Sequence, residues 1–281
     1  MAIITISKGS YSHGQEVAEA LADRLGYECV SRDILVEASE EFNIPEIKLA
    51  KALYDAPSVL ERFTHGRERY ISYFQSAFLN HISRDNVVYH GLAGHFFIQD
   101  IPQVLKVRII ADIEDRLKEE ARHQDCTREE ARYRLKRDDE ERRRWSLQNY
   151  GMDIWDSSLY DLVIKIGRLS IDDAVDFLAQ TVEKQAFQSS PESIQALKER
   201  ALLANVFARL ALGSPRATVR LVEPAVIALG NLEGVLKTDE AERNKLVAEL
   251  QGEYDLKEVV FDKPTKMVRE YVNVFHNLDL S

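Results

Sequence analysis

The residues best suited to chemistry lie near the N-terminus, in the stretch KGSYSHGQE. Gly9 and Gly14 stand five positions apart, between a predicted strand and a predicted helix. Unpaired backbone N–H groups at a helix N-terminus, together with the helix dipole, attract phosphate groups. Side-chain donors add to these amides, and they come from Ser10, Ser12 and His13. The spacing therefore favours a phosphate-binding loop at the start of the chain.

Part of the positive charge expected in such a loop is missing. Phosphate-binding loops usually carry Lys and then Ser or Thr directly after the second glycine, but this chain has Gln15 and Glu16. Gln15 can donate a hydrogen bond without charge, and Lys8 on the other side of the loop can supply some charge. With 12 glycines in 281 residues, the same spacing arises by chance about half a time per chain. A plain strand-to-helix turn therefore stays open as the alternative.

The elements around this loop predict an α/β fold. Short apolar segments, typical of buried parallel strands, occupy residues 2–7, 27–30, 86–89, 104–111 and 159–166. Helical patterns lie between them, at residues 14–25, 112–146 and 171–184. Strands that alternate with helices predict a parallel sheet flanked by helices.

The last third of the chain has a different pattern. The stretch QSSPES at residues 188–193 predicts a linker. After it come a predicted helix, two strands, a helix and a strand, at residues 194–212, 217–222, 225–229, 239–250 and 256–261. This αββαβ order predicts a small α+β C-terminal domain, so we expect domains at residues 1–187 and 191–281, with the last dozen residues as a tail or arm.

Composition limits the classes of function. The net charge of −10 and the pI near 5.3 do not favour nucleic acid as a partner. The two cysteines, Cys29 and Cys126, form no CxxC motif, so a zinc site or a disulfide framework has no support. No apolar run reaches the roughly 18 residues that a membrane span needs, and no signal peptide pattern is present. We expect a cytoplasmic protein.

Four segments together carry a resemblance to a known family. The first is ITISKGSYSHGQEVAEALADRLGY, the second is VSRDIL with Arg32, and the third is VVYHGLAGHFFI with Gly91. The fourth, residues 137–170, is the most specific, because several residue types agree at fixed spacing with the pattern D-x-x-R…YG-x-D…YDLVINTG-x-LS. The matching positions are Asp139, Arg142, Tyr150, Gly151, Asp153, Tyr160 and Asp161. These segments resemble the cytidylate-kinase-like family of P-loop nucleoside monophosphate kinases over about residues 1–185.

The resemblance implies a P-loop NTPase-type sheet. It also implies transfer of a phosphoryl group from ATP to a nucleoside monophosphate. CMP or dCMP is the expected acceptor, and Mg²⁺ is the expected metal. ATP phosphates would be cradled by Lys8, Gly9, Ser10, Tyr11, Ser12, His13, Gly14 and Gln15. A lid of about residues 112–158 would bring Arg134, Arg137 and Arg142 over the transferring phosphate. The acceptor would contact Arg32, Gly91 and Asp153. No residue is marked as a metal ligand.

Three departures from the family pattern keep other functions open. Gln15 stands where the family often has Arg, Ser31 replaces an Asp, and Leu92 stands where an Arg would help to hold the phosphate of the substrate. The main alternative is a catalytically impaired nucleotide-binding regulatory protein that senses a ligand through its C-terminal domain. A weaker one is a structural or oligomerising protein whose loop binds nothing. The lid arginines have a plain alternative too, as members of a solvated, salt-bridged helix.

The C-terminal segment resembles a second family. VRLVEPAVIALGNLEGVLKTDEAERNKLVAELQGEYDLKEVVFD is similar to the BON module, a small fold with no catalytic constellation. The resemblance implies regulation, self-association or ligand sensing for this domain, and a homodimer is a possible assembly.

Overall fold

The structure of the protein, a computed structural model, describes residues 2–54, 66–91, 93–99 and 101–262. The chain divides into two units, Met1–Pro215 and Arg216–Ser281. The first unit contains the predicted phosphate-binding loop and the family-like segments, and the second contains a separate small sheet.

A five-stranded parallel sheet forms the centre of the first unit. Its strands are β1 (Ile3–Lys8), β2 (Glu28–Val30), β3 (Val87–His90), β4 (Val104–Ala111) and β5 (Leu162–Ile166). Their spatial order is β2-β3-β1-β4-β5, and every neighbouring pair is parallel. Because β1 lies between β3 and β4, the loop that follows it emerges at the middle of the carboxyl edge of the sheet.

Helices cover both faces of this sheet, which explains why its central strands are apolar on both sides. Ile4 and Ile6 of β1 pack with Val17 and Leu21 of helix α1 (Gly14–Leu25) and with helix α8 (Ile171–Val182). Ile3 faces the other layer. That layer contains α2 (Asp33–Glu41), α3 (Glu46–Tyr54), α4 (Gly66–Ile82), α5 (Gly94–Phe97) and α9 (Pro191–Leu210).

The charged segment forms two helices, α6 (Ile113–Gln124) and α7 (Arg128–Tyr150). Helix α7 begins at a capping box, in which Thr127 and Glu130 exchange hydrogen bonds. It ends at Gly151, whose φ of 67° suits glycine. Near that end, Trp145 is fully buried and its Nε1–H donates to the Ala52 carbonyl oxygen at 2.9 Å. The C-terminal half of this polar helix is therefore anchored in the core.

The predicted fold class is confirmed, because a five-stranded parallel sheet lies between helices and a small sheet follows it. The predicted strand at residues 104–111 has the observed bounds. The predicted strand at residues 159–166 begins later, at Leu162, because Ser157–Leu159 forms a 3-10 turn.

The division between the two units lies after helix α9 and not in the predicted linker. Ser190 caps α9 through a capping box with Ser193, and Pro191 occupies its first turn. The helix packs on α4, and the Ser76 Oγ donates to the Asn205 Oδ1 at 2.7 Å. The stretch QSSPES thus starts a helix of the first unit, because its turn-forming residues are also the preferred helix caps.

In its described residues, 216–262, the second unit contains a three-stranded sheet and two helices. Strands β6 (Thr218–Glu223) and β7 (Val226–Gly230) pair antiparallel, and β7 pairs in parallel with β8 (Glu258–Phe261). Helices α10 (Val235–Thr238) and α11 (Glu240–Tyr254) connect β7 to β8. The predicted ββαβ order is present, while the helix expected to precede it belongs to the first unit. Across the described part of the chain, no helix is long and apolar enough to span a membrane.

The place of α9 generates a stability prediction. Leu197 is buried in the core that α9 shares with α4, whereas Ile194 on the same helix is 37% exposed. Leu197→Ala should lower the free energy of unfolding of the first unit by about 2–5 kcal/mol, because it leaves a cavity. Ile194→Ala should cost roughly 1 kcal/mol or less. Urea unfolding followed by circular dichroism checks both values, and equal small effects would contradict the packing of α9 in this core.

Candidate functional site

The candidate site begins where β1 ends, at the carboxyl edge of the parallel sheet. In open α/β sheets, ligands bind in a crevice at this edge. The crevice lies where the connections that follow two neighbouring strands lead in opposite directions. Residues 9–13 connect β1 to α1, whose first residue is Gly14. Tyr11 and His13 adopt left-handed backbone angles, with φ of 53° and 63°. These two residues turn the chain sharply at the helix N-terminus.

The glycines of the loop are required by close neighbours. A Cβ atom on Gly14 would lie 2.6 Å from the Lys8 Cβ, so one of the two residues would have to shift. A Cβ atom on Gly9 would lie 3.3 Å from a guanidinium nitrogen of Arg116 and 3.7 Å from the Asp139 carboxylate. The two predicted glycines therefore let β1 and the charged helices approach the loop closely.

Several predicted loop side chains are bonded within the loop or along α1. The Ser12 Oγ donates to the Gly9 carbonyl oxygen at 3.0 Å. The His13 Nδ1 lies 3.1 Å from the Glu16 Oε1, and the Gln15 Nε2 donates to the Glu19 Oε1 at 2.8 Å. These contacts leave the backbone amides of the first helical turn as the main candidate phosphate donors.

Tyr11 is also turned away from any ligand. Its ring stacks on His123 of α6, with ring centroids 5.4 Å apart, and packs near Leu117. Only the backbone of Tyr11 remains available for the predicted role.

Arg142 of α7 reaches the loop directly. Its Nη2 donates to the Ser10 Oγ at 3.0 Å, and its Nη1 lies 4.0 Å from the Asp139 Oδ1. The structure thus places this predicted arginine beside the loop, where an anion on the backbone amides would meet a guanidinium group.

Arg116 of α6 is a loop contact that the sequence reasoning missed. Its Nε donates to the Ser10 carbonyl oxygen at 2.7 Å, and its two terminal nitrogens bind the Asp139 carboxylate, both at 2.9 Å. This bidentate pair joins α6, α7 and the loop. The only sequence signal was an arginine within a charged helix, which by itself is typical of a solvated face.

Arg134 and Arg137 do not approach the loop. The Arg134 Nη1 donates to the Gln124 Oε1 at 3.2 Å, and the Arg137 Nη2 donates to the Asp138 Oδ1 at 3.2 Å. With 3.6 residues per turn, positions 137 and 134 are rotated from position 142 by about 140° and 80° around the helix axis. The shared face predicted for residues 134 and 137 is therefore not the face that carries Arg142.

A cavity of about 620 Å³ opens beside the loop on the side of β3. We call it the β3-side cavity. It is lined by Lys8, Gln15, Glu19, Cys29, Ser31, Arg32, Asp33, His90, Gly91 and Arg142. The predicted acceptor residues Arg32 and Gly91 are thus brought together with Lys8 and Arg142. Within the described residues, neither the Lys8 ammonium nor the Arg32 guanidinium has a hydrogen-bond or ion-pair partner.

Burial shifts the titration of two groups in this cavity. It lowers the pKa of the Lys8 ammonium, with a further decrease from Arg142 that Glu16 opposes. Burial and the nearby Lys8 charge lower the pKa of His90 to about 4. His90 is therefore neutral near pH 7. The positive charge of Lys8 beside it favours this neutral form.

A second cavity, of about 340 Å³, lies on the side of β4. It is lined by Gly9, Ser12, Arg108, Ile110, Ala111, Arg116, Asp139, Trp155, Ser157 and Val163. The loop therefore separates two cavities, one on each side of β1. A donor nucleotide and an acceptor could both reach the loop from these sides.

Asp153 lines neither cavity. Its carboxylate accepts hydrogen bonds from the Nε and Nη2 of Arg143, at 2.8 and 2.6 Å, and from the Trp155 N–H at 3.0 Å. These donors lower the pKa of the Asp153 carboxyl. In this structure Asp153 shapes the turn after α7 instead of facing the β3-side cavity. Leu92, another departure from the family pattern, lies outside the described residues.

The residues around the loop fit phosphates better than a dedicated metal centre. In the described part of the chain, no cluster of three or more His, Cys, Asp or Glu side chains could hold a metal ion. Asp139 is engaged by Arg116, and Asp112 pairs with the Lys165 Nζ at 2.5 Å. Mg²⁺ commonly binds through substrate phosphates and waters with few protein ligands. A magnesium ion that arrives with a nucleotide is compatible with this arrangement.

The sequence of residues 3–168 matches the cytidylate kinase-like family. The chain belongs to this family. A cytidylate kinase from Archaeoglobus fulgidus is 26% identical over 183 residues, which cover 64% of this chain and 94% of that protein. A cytidylate kinase from Sulfolobus acidocaldarius is 24% identical over 188 residues, which cover 66% of this chain and 97% of that protein.

Solved structures share the fold of the first unit. The crystal structure of an uncharacterized protein from Eubacterium ventriosum superposes with a TM-score of 0.51 at 20% identity. It covers 66% of this chain and 100% of that one. The family match lies in the part of the chain that holds the loop and the two cavities.

The packing of Gly14 generates a prediction for the loop. Gly14→Ala should lower the free energy of unfolding by about 1–3 kcal/mol, because the new methyl group overlaps Lys8. The control is Gly213→Ala, where an added Cβ has no neighbour within 4 Å. That change should stay within about 0.5 kcal/mol of wild type. Thermal and urea unfolding measure both variants, and a neutral Gly14→Ala would contradict the close approach of Lys8.

Proposed function

We propose that the protein is a nucleotide kinase that transfers the γ-phosphoryl group of ATP to a nucleoside monophosphate, with CMP or dCMP as the acceptor. The observation that carries this proposal is the loop of residues 9–14, which meets Arg142 through the Ser10 Oγ at 3.0 Å. Membership of the cytidylate kinase-like family supports the class of reaction. The named relatives, both cytidylate kinases, support the choice of acceptor.

Phosphoryl transfer of this kind needs positioning and charge neutralisation more than covalent chemistry by the protein. ATP supplies the phosphoryl group and arrives with Mg²⁺. The amides at the start of α1 hold the ATP phosphates, and Arg142 neutralises charge that develops on the transferring group. Arg134 and Arg137, predicted to share this role, contact Gln124 and Asp138 here. We therefore assign the role to Arg142 alone.

The β3-side cavity is the proposed acceptor site. Its three cationic side chains, Lys8, Arg32 and Arg142, suit the phosphate of a monophosphate, while Glu19 and Asp33 reduce the net charge to about +1. Glycine at position 91 leaves room for the Tyr89 side chain beneath the cavity wall. A Cβ atom on Gly91 would lie 2.5 Å from the Tyr89 hydroxyl oxygen. Asp153 has no place in this proposal, since its carboxylate is held by Arg143.

A specific observation favours a second function, a catalytically impaired nucleotide-binding protein. Gln15 stands where a cation would contact the phosphates, and its amide bonds Glu19 along α1. The nearby Lys8 ammonium, whose pKa is lowered by burial, is the remaining cation on β1. A protein with this loop can bind nucleotide while transferring phosphate slowly or not at all.

For the second unit we propose a BON-like regulatory role, in ligand sensing or self-association. The β6-β7-β8 sheet and α11 supply the ββαβ part of that module. A homodimer formed through this unit stays a prediction that sedimentation of the full chain would check.

The first prediction of this proposal concerns binding and turnover. ATP, ADP and CMP with Mg²⁺ should each raise the melting temperature, because a ligand that binds only the folded state stabilises it. ADP release in a coupled assay should follow when ATP is combined with CMP or dCMP. UMP and AMP serve as comparison acceptors. Stabilisation without ADP release selects the impaired protein, and no stabilisation by any nucleotide contradicts both functions.

The second prediction isolates Arg142. Arg142→Gln should lower kcat by about 10²–10³-fold, since one transition-state charge contact is lost. The control is Arg144→Gln, because Arg144 is exposed on the same helix and donates only to the Glu140 carbonyl oxygen. That variant should keep kcat within about twofold. Similar kcat values for both variants, with unchanged melting curves, would remove Arg142 from the reaction.

A further inference from the structure

Among the residues that line the two cavities beside the loop, His90 is the one histidine, and the proposed reaction gives it no role. It is the last residue of β3 and pairs in register with Ile6 of β1, two residues before Lys8. It therefore lies at the carboxyl edge of the sheet, where the loop begins. Its side chain lines the β3-side cavity together with Lys8, Arg32 and Arg142.

One ring nitrogen of His90 is buried without a hydrogen-bond partner. The residue is 6% exposed, and its Nδ1 has no hydrogen-bond partner among the described residues. Leaving a buried polar group unpaired is costly, and such groups are rare in folded proteins. His95, five residues on, shows the contrast, because its Nε2 lies 3.4 Å from the Tyr160 hydroxyl oxygen. An unpaired imidazole on a cavity wall points to a ligand that completes its hydrogen bonds.

The charges that face His90 come from every element around the cavity. Lys8 of β1 disfavours protonation of the imidazole, while Glu16 and Glu19 of α1 and Asp33 of α2 favour it. Arg32, Cys29 and Arg142 line the same cavity. Burial outweighs the acidic groups, so the pKa of His90 is lowered to about 4. A bound dianion would reverse the balance, because a close negative charge favours the protonated form.

We propose that His90 binds the phosphate of the acceptor nucleotide as an imidazolium ion, taking up a proton when the acceptor binds. The proposal rests on the proposed function, because it assumes that the acceptor phosphate occupies the β3-side cavity. His90 then supplies a positive charge that Gln15 lacks, and it does so only in the complex. The empty cavity avoids the repulsion of one more fixed cation beside Lys8, Arg32 and Arg142.

The sign of the pH dependence follows from this coupling. The pKa of His90 is low in the free protein and higher in the complex, so the complex binds more protons than the free protein. The contribution of His90 to acceptor affinity is therefore greatest below the pKa of the free protein, and it is lost as the pH rises through the pKa of the complex. The nucleotide phosphate also titrates near pH 6, but this contribution is common to wild type and variants.

The experiment measures CMP and cytidine binding by isothermal titration calorimetry at about pH 6 and pH 8, in buffers of different ionisation enthalpy. The variants are His90→Gln and His95→Gln. His95 is a matched control, because it is also buried, has a pKa lowered to about 3, and lies outside the described cavities. His90→Gln should weaken CMP binding about tenfold at pH 6 and less than threefold at pH 8, as expected for one charge-assisted hydrogen bond.

Cytidine separates phosphate contact from contact with the base. It lacks the phosphate, so His90→Gln should change its affinity less than twofold at either pH, within the scatter of a neutral substitution. Wild type should also take up more protons on CMP binding than His90→Gln does. An equal loss of affinity for CMP and cytidine, or a pH-independent loss for CMP, would overturn the proposal.

A measurement on the wild-type protein covers the case in which His90→Gln does not fold. The imidazole resonances of His90, followed by NMR through a pH titration, should give a pKa near 4 without ligand and about 7 with saturating CMP, the value that a tenfold effect at pH 6 requires. An unchanged pKa with CMP bound overturns the role of His90 while leaving the kinase proposal standing. Absence of CMP binding to wild type contradicts the choice of acceptor itself.

Discussion

The arrangement of the site depends on one ion pair, between Arg116 of α6 and Asp139 of α7. The same guanidinium group donates to the Ser10 carbonyl oxygen, so a single side chain holds both charged helices against the loop. Arg116 and Asp139 are largely buried, with side-chain exposures of 12% and 24%. A bidentate pair of this kind fixes orientation as well as distance. Asp139 lies three residues before Arg142 on α7, so the pair holds this part of the helix beside Ser10.

Cationic side chains from several elements lie beside the loop. No single lysine follows the second glycine, but Lys8, Arg32 and Arg142 converge from three elements on one side of the loop. Burial makes this concentration of positive charge costly, as the lowered pKa of Lys8 indicates. A neutral His90 in the same cavity adds no further repulsion while the cavity holds no anion. The arrangement is suited to an anionic ligand that neutralises it.

Core contacts hold helices α7 and α9 in the first unit. Trp145 anchors α7 to α3 through the Ala52 carbonyl oxygen, and α9 closes the core against α4. The β3-side cavity, by contrast, is lined mainly by charged and polar side chains. In many α/β proteins, a packed core of this kind positions binding groups on the loops. The second unit carries its own sheet and no cluster of metal-binding side chains within its described residues.

The sequence by itself determined the sheet, the position of the loop and the family, because apolar strand patterns and glycine spacing are local signals. It also identified Arg142 through a fixed spacing to Asp139. Only the tertiary structure decided which arginines contact the loop. Arg116 resembles its charged neighbours in the sequence, and Arg134 and Arg137 lie at other angles around the axis of α7 than Arg142. The tertiary structure also placed α9 in the first unit, because a serine- and proline-rich stretch is typical both of linkers and of helix starts. Both outcomes depend on contacts between segments that are distant in the sequence, and local patterns do not contain such contacts.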